Sequence, residues 1–446
     1  MKAKRILSLI MVFILTLSLF LITGCKDNKT NGKTNLEEYS EEDFFLDMPN
    51  ELRGTRVQYA TWGNPTGELT REFEKLTGID FQVINIPQGS YVIKLLSLIT
   101  ADEAPDIFME NGDFPRTLKV VQPILKETTG IDVTDPFWDQ DFVKEYTIGG
   151  KPYLIESANS KTNKIGDVVH YNKRVLEENG IKTPKQLIEE DNWNLDSFTE
   201  IMKQAQQRCG FTSPGTAINV HVILSMMGAA EIGYNRETET FYNGLKSPEA
   251  LTALQWALKR KEEGVATLFM EGGGGSFAYG NGAFSVCGGY GARASGWWSD
   301  MDFDDYGVAC LPKVNKDDAD YPYTSSAGGY GIMKGAKNPV GAGYFLRFYL
   351  NNDNRDLELF FKNDEARAVC EEIQRKSNLD NVDYNYGVRL ILYPDNSNVL
   401  GGFMGEICSK ATYHQLTTAI SSANNKIDAS VIKANEIIAE VKAANG

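Results

Sequence analysis

The residues with the greatest capacity for specific chemistry are aromatic and polar groups set beside glycines. They are Trp62-Gly63-Asn64, Glu110-Asn111-Gly112-Asp113, Gly288-Gly289-Tyr290-Gly291 with Arg293 and Trp297-Trp298 after it, and Tyr330 within Gly328–Gly331. Glycine lets a neighbouring ring stand clear of the backbone, and such a ring can cover the apolar C–H face of a hydroxyl-rich solute. Carboxylates, amides and a guanidinium nearby can bond the hydroxyl rim. This is the chemistry of reversible recognition. Bond-breaking chemistry needs an activated nucleophile or a metal, and the sequence contains no G-x-S-x-G, H-E-x-x-H, P-loop or C-x-x-C pattern. A glycosidase needs only two carboxylates, so sixty acids leave that alternative open without singling out a pair. Asp300, Asp302, Asp304 and Asp305 suggest a calcium loop. Counted from Asp300, however, the sixth and twelfth positions hold Asp305 and Leu311, where glycine and glutamate are required. Three histidines and no paired-cysteine spacing leave no metal site and no cofactor in this reading.

The elements that must position these groups have a regular pattern. Arg56–Thr61 alternates like a strand and is broken by Trp62-Gly63-Asn64-Pro65. Leu69, Phe73 and Leu76 give Glu68–Thr77 helical spacing, closed by Gly78. Phe81–Ile86 is the next strand, Ser90 is expected to cap a helix over Tyr91–Thr100, and Asp106–Met109 is a short strand. This β-α-β-α-β order predicts a parallel sheet covered by helices, whose ligands gather at the carboxyl ends of the strands. Trp62–Asn64 and Glu110–Asp113 fall at those ends. Farther on, Asn194 is expected to cap Leu195–Arg208, and Ser247-Pro248-Glu249 to open a helix that reaches Glu263 before Gly264. Asn338-Pro339 opens a helix to about Leu350, and the last 35 residues read as helical with a turn near Asn424-Asn425. Trp193 and Trp256 lie on helix-like segments and are expected in the core. Gly272–Gly275 is a low-complexity loop unlike any phosphate cradle.

Composition narrows the function further. The 446 residues carry 60 Asp and Glu against 45 Lys and Arg, for a formal charge of −15. Such a surface repels phosphate backbones, which argues against nucleic-acid binding. A hydrophobic content of 42% argues against both a polytopic membrane protein and wholesale disorder. At the amino terminus Lys2, Lys4 and Arg5 precede an apolar run from Ile6 to Ile22, and Thr23-Gly24-Cys25 follows. That is the order of a secretory signal. It resembles a bacterial lipobox, in which the Cys25 thiol receives diacylglycerol before cleavage, whereas a plain transmembrane anchor has no reason to end in Thr-Gly-Cys. Residues 1–24 are then a lipoprotein signal peptide and 25–45 a flexible tether. The body is expected on the outer face of the cell membrane, lipid-anchored through Cys25. Loss of the three basic residues takes the mature charge to −18. Cys209, Cys287, Cys310, Cys370 and Cys408 remain, an odd number with at least one unpaired. Cys287 and Cys310 could pair, although buried free thiols are the simpler reading.

A colinear series of short motifs spans nearly the whole mature chain. It comprises Ala104-Pro105-Asp106-Ile107, Gly150-Lys151-Pro152-Tyr153, Tyr171-Asn172-Lys173, Asn179-Gly180-Ile181 with Pro184, and Trp193 through Phe198. Phe277–Phe284, Tyr306-Gly307-Val308 to Leu311-Pro312, and Gly328–Ile332 with Asn338-Pro339 continue it. In this order, behind a lipobox, the chain resembles the family 1 extracellular solute-binding proteins, the maltose-binding type of receptor that feeds ABC importers. The resemblance implies an α/β, two-lobe periplasmic-binding-protein-like fold (type II), each lobe a sheet flanked by helices, with a ligand cleft between the lobes. The amino-terminal lobe would hold 46–158 plus 328–378 and the other lobe 160–326 plus 380–446, with crossings near Ser157–Asp167, Thr324–Ala327 and Leu379–Asn385. It implies a monomer that takes a small-molecule ligand, most often a carbohydrate, and delivers it to ABC permease subunits. A sensory receptor would carry the same cleft. The family places ligand contacts at the positions of Trp62, Asn64, Glu110, Asn111 and Asp113, and an aromatic platform at Tyr290. Arg293, Trp297, Trp298 and Tyr330 complete the candidate set. The family's Asp-Arg pattern in the loop after Glu110 is not reproduced.

Overall fold

Residues 56–111 build the expected parallel unit. In the computed structural model, β1 (Arg56–Thr61), β2 (Asp80–Asn85) and β3 (Ile107–Asn111) run parallel, connected by α1 (Gly67–Thr77) and α2 (Tyr91–Thr100). The structure describes residues 47–62, 67–87, 90–158, 166–269, 277, 280–324, 328–352, 360–377, 382–392, 404–405, 408 and 411–445. The expected signal peptide and tether, Cys25, Asn64, Gly272–Gly275 and most of the three expected crossings lie outside these residues.

After β4 (Val121–Gln122) the chain forms a second sheet from β5 (Asp167–Asn172), β6 (Thr216–Asn219), β7 (Ala266–Phe269), β8 (Phe284–Gly288) and β9 (Tyr306–Ala309). It then returns to the first sheet with β10 (Gly328–Met333). The orders are β2-β1-β3-β10-β4 and β7-β6-β8-β5-β9. β10 runs antiparallel to β3 with Gly328 opposite Asn111, and β5 runs antiparallel to β8 with Asp167 opposite Gly288. The carboxyl ends of β3 and β8 therefore sit beside the points where the chain passes between the sheets.

The helices start and stop for local reasons. In α3 (Leu195–Arg208) the Asn194 side chain accepts the Asp196 and Ser197 amides, and α4 (Val220–Met226) is capped by Asn219. In α5 (Pro248–Glu262) Ser247 accepts the Ala250 amide and Pro248 fills the first turn. Ser90 departs from expectation: its hydroxyl donates to the Pro87 carbonyl, so it does not cap α2. α6 (Pro339–Asn352) covers one face of the first sheet. There Phe345 and Phe348 meet Phe73 of α1 and Tyr59, Ile107 and Ile332 of the strands.

Two expectations for the last third need correction. Residues up to 378 were assigned to the amino-terminal lobe, yet α7 (Asp364–Lys376) packs on β9. Its Ala366, Cys370 and Ile373 join Val168, Tyr306 and Val308 in a second-sheet core. α8 (Asn385–Leu392) lies beside the terminal helix α9 (Leu416–Asn445), which runs unbroken where a turn near Asn424-Asn425 was expected. Polar residues inside this helix have partners on the adjacent hairpin: Asn424 accepts from Asn243, and Asn435 brackets the backbone of Phe241. Trp193 is buried as expected, all five described cysteines are free thiols, and no described helix is long and apolar enough to cross a membrane.

Where the chain passes between sheets it is tightly cross-linked. The Thr324 hydroxyl accepts the Asp167 amide and donates to the Asp167 carboxylate, both at 2.9 Å. Gly166 comes so close that a Cβ there would sit 1.9 Å from the Thr324 carbonyl oxygen, so no other residue fits without parting the two segments. An aromatic layer also joins the two halves. The Phe114 ring, after β3, lies 5.7 Å from Tyr234, Phe241 and Tyr384, and Glu145 accepts from the Tyr384 hydroxyl and pairs with Arg236.

Candidate functional site

β8 ends at Gly288, and the following turn, Gly289–Ala292, presents Tyr290 with 43% of its surface exposed. Three buried side chains hold this turn. His170 of β5 is kept neutral because burial pulls its imidazole down to about 3. Its Nε2 faces the Gly288 carbonyl at 3.1 Å, which can only accept, so Nε2 carries the hydrogen and Nδ1 accepts the Tyr306 hydroxyl at 2.6 Å. Lys362 is 5% exposed and donates to the carbonyls of Gly291 (2.6 Å), Arg293 (2.6 Å) and Trp297 (2.9 Å). Burial pulls its ammonium down to about 8, while the three acceptors favour the charged form. Trp298 lies against the turn, so that a Cβ on Gly291 would sit 2.6 Å from its ring. Its φ of +62° is uncommon for a bulky residue and is held by ring contacts to His170 and Phe277.

The braced turn gathers three of the expected residues. The Tyr290 ring meets Trp297 edge-on at 5.4 Å, and the Arg293 guanidinium lies 5.2 Å from Tyr290 and 4.6 Å from Phe360, between the two rings. Trp298 departs from the expected role, since its ring is spent on packing below Gly291. Tyr330 departs likewise: on β10 its side chain points into the first core, 6.3 Å from the Tyr59 ring, and is 4% exposed.

On the first sheet, half-buried Trp62 follows β1 and sits edge-on to Tyr91 at 4.7 Å. Tyr91 is fixed by donating to the Ala60 carbonyl (2.6 Å) and accepting the Met109 amide (3.1 Å), which spans β1 and β3. Asn111 is the last residue of β3. Glu110 turns back into its own loop, where it accepts the Phe114 amide (3.1 Å) and the Thr117 hydroxyl; Asp113 pairs with Arg116 at 3.1 Å. Burial, and then the Asp113 charge, pushes the Glu110 carboxyl up. Burial raises Asp113 too, against the pull of Arg116. Both carboxyls are under 5% exposed and shape the loop after β3.

One contributor was missed. α8 approaches the same loop, where a Cβ on Gly112 would lie 3.9 Å from the Tyr386 ring. Tyr386-Gly387 is an aromatic beside a glycine, so the rule that selected Tyr290 could also have selected it.

Several solved structures share this architecture. The sugar-binding protein MalE from Xanthomonas citri superposes with a TM-score of 0.61 at 14% identity, covering 86% of this chain and 99% of that one. UgpB from Mycobacterium tuberculosis, in complex with glycerophosphocholine, gives 0.63 at 15% identity over 85% and 99% of the two chains. The galacto-N-biose/lacto-N-biose I-binding protein of the Bifidobacterium longum ABC transporter, in complex with lacto-N-biose, gives 0.62 at 12% identity over 85% and 98%. At these identities the likeness is one of fold. No curated protein sequence matches significantly. The sequence profile of the bacterial extracellular solute-binding proteins matches residues 68–357, and the chain belongs to that family.

Proposed function

We propose that this protein captures a small solute, a sugar or oligosaccharide, in a cleft between two α/β lobes and hands it to the permease subunits of an ABC importer. Family membership supports solute capture outside the cell, and the shared fold with sugar receptors supports a carbohydrate. The observation that carries the reading is the Tyr290 turn: an exposed ring on a rigid base at a strand's carboxyl end, braced from below by His170, Lys362 and Trp298. Such a ring can cover a sugar face without further ordering cost. In this reading Trp62, after β1, and Tyr386, beside the loop after β3, would line the first-sheet side of the cleft, and Trp297 and Arg293 flank the platform. The packing described above supports lobes of 46–158 with 328–352, and of 166–324 with 360–445. The reading requires no bond to be made or broken, and the protein works as a monomer without a cofactor.

A calorimetric screen of neutral oligosaccharides against polyamines and amino acids tests this. A neutral sugar should bind with an affinity insensitive to salt, because it has no charge to screen. Tight binding of a cation that weakens steeply with salt would overturn the carbohydrate. Anchoring is proposed to run through diacylglycerol on Cys25. Cys25→Ala should release a folded protein from the membrane fraction, and retention after the same washes would contradict the anchor.

A further inference from the structure

The carboxyl end of β6 carries a second concentration of polar groups that the solute reading does not use. Asn219 caps α4, and the first turn places His221 beside Asp383, with Nδ1 2.9 Å from Asp383 Oδ2 and 4.0 Å from Glu231 Oε2. One ligand atom from each of the three residues lies within 4.8 Å of the others. The Glu231 side chain is wholly buried, and among the described residues neither of its oxygens has a hydrogen-bond partner of acceptable geometry. The Met404 amide lies close enough to favour its charge, yet burial still pushes the carboxyl up to about 8. A wholly buried carboxyl beside a second acid, aimed at an imidazole and without a well-formed hydrogen bond among the described residues, is a ready ligand for a cation.

We propose that His221, Glu231 and Asp383 form a site for one first-row transition dication of the Mn²⁺ or Zn²⁺ class. Bonds of about 2.1 Å place neighbouring ligands of an octahedral ion about 3.0 Å apart and opposite ligands about 4.2 Å apart. The separations of 2.9 and 4.0 Å therefore need only small side-chain adjustments. One imidazole nitrogen with two carboxylates suits Mn²⁺ or Zn²⁺, whereas Ca²⁺ wants roughly six to eight oxygens. Two carboxylates also balance the ion's charge. Asp383 accepts the Glu231 and Ile232 amides at 3.1 Å each, and such outer hydrogen bonds hold a ligating carboxylate in place. Arg389 is a cation facing the cluster and opposes the ion, while Asp167 beside His221 favours it. The three ligands come from α4, from the start of the Ile232–Asn243 hairpin and from the segment that leads into α8. A bound ion would fasten these separate stretches together.

The test uses the purified protein without a histidine tag, stripped by chelator and dialysed. Mn²⁺ is the probe, read by equilibrium dialysis and by loss of its free-ion EPR signal, because it avoids the thiols. One Mn²⁺ should bind per chain, be displaced by Zn²⁺ and resist an excess of Ca²⁺. Glu231→Gln and His221→Gln should each weaken binding at least about tenfold with an unchanged circular dichroism spectrum. No saturable Mn²⁺ or Zn²⁺ binding to the wild-type chain would overturn the proposal, whatever the variants do. Equal binding by the folded variants, or equal competition by Ca²⁺, would overturn it too. No solute enters the experiment, so its failure leaves the carbohydrate reading untouched.

Discussion

Replacing Tyr290 by alanine should weaken binding of the cognate sugar by about five- to 150-fold while leaving the fold intact. The ring would lose about 1–3 kcal/mol of burial against the sugar face, which converts to that range of affinity. The fold should survive because Tyr290 is 43% exposed and its contacts with the Trp297 ring, the Arg293 guanidinium and the Ser295 carbonyl lie at the surface of the turn. Titration calorimetry on the wild-type and Tyr290→Ala proteins reads the change directly. Unaltered affinity in a folded variant would remove Tyr290 as the platform while leaving the solute class in place.

A larger loss is expected from Lys362→Met, a substitution that keeps the length of the side chain and removes its ammonium. The carbonyls of Gly291, Arg293 and Trp297 would lose a shared donor in a site almost closed to water. Each orphaned carbonyl costs about 1–3 kcal/mol, and because one group serves all three, a total of about 2–4 kcal/mol is expected. The turn would loosen, so sugar affinity should fall at least as far as in Tyr290→Ala, and the unfolding midpoint should fall with it. Lys362→Arg keeps the charge and should recover part of both. Unchanged denaturation and unchanged binding in Lys362→Met would show that the turn is rigid for another reason.

The parallel unit at residues 56–111 was legible because its hydrophobic periodicity, Gly78 and its short connections all specify the same pairing. The caps at Asn194 and Ser247 were legible because their residue types have one strong local use. What failed depends on contacts distant in sequence. Asp364–Lys376 has an amphipathic pattern that says it buries a face, but not which sheet receives it. Asn424-Asn425 reads as a turn from propensity, and it is helical because Asn424 finds Asn243 across the packed hairpin. In the site, an aromatic beside a glycine marks a ring free of its own backbone without giving its direction. Tyr290 points out, whereas Tyr330 follows the strand alternation into the core and Trp298 is drawn under Gly291. Glu110 and Asp113 were placed correctly at a strand end, but the loop consumes their oxygens, which no local pattern reveals. His221, Glu231 and Asp383 come together across 162 residues of chain, a span over which metal-ligand spacing has no meaning.

Solute capture by closure of two lobes is the central claim, and small-angle X-ray scattering with and without a saturating sugar tests it most directly. A ligand can shift the open–closed equilibrium only by binding the closed form more tightly. Closure would then pivot about the segments joined at Gly166 and Thr324. A smaller radius of gyration with the sugar bound, reversed when the sugar is removed, is the expected result. An unchanged radius at saturation, or chemical turnover of the bound sugar, would contradict capture by closure.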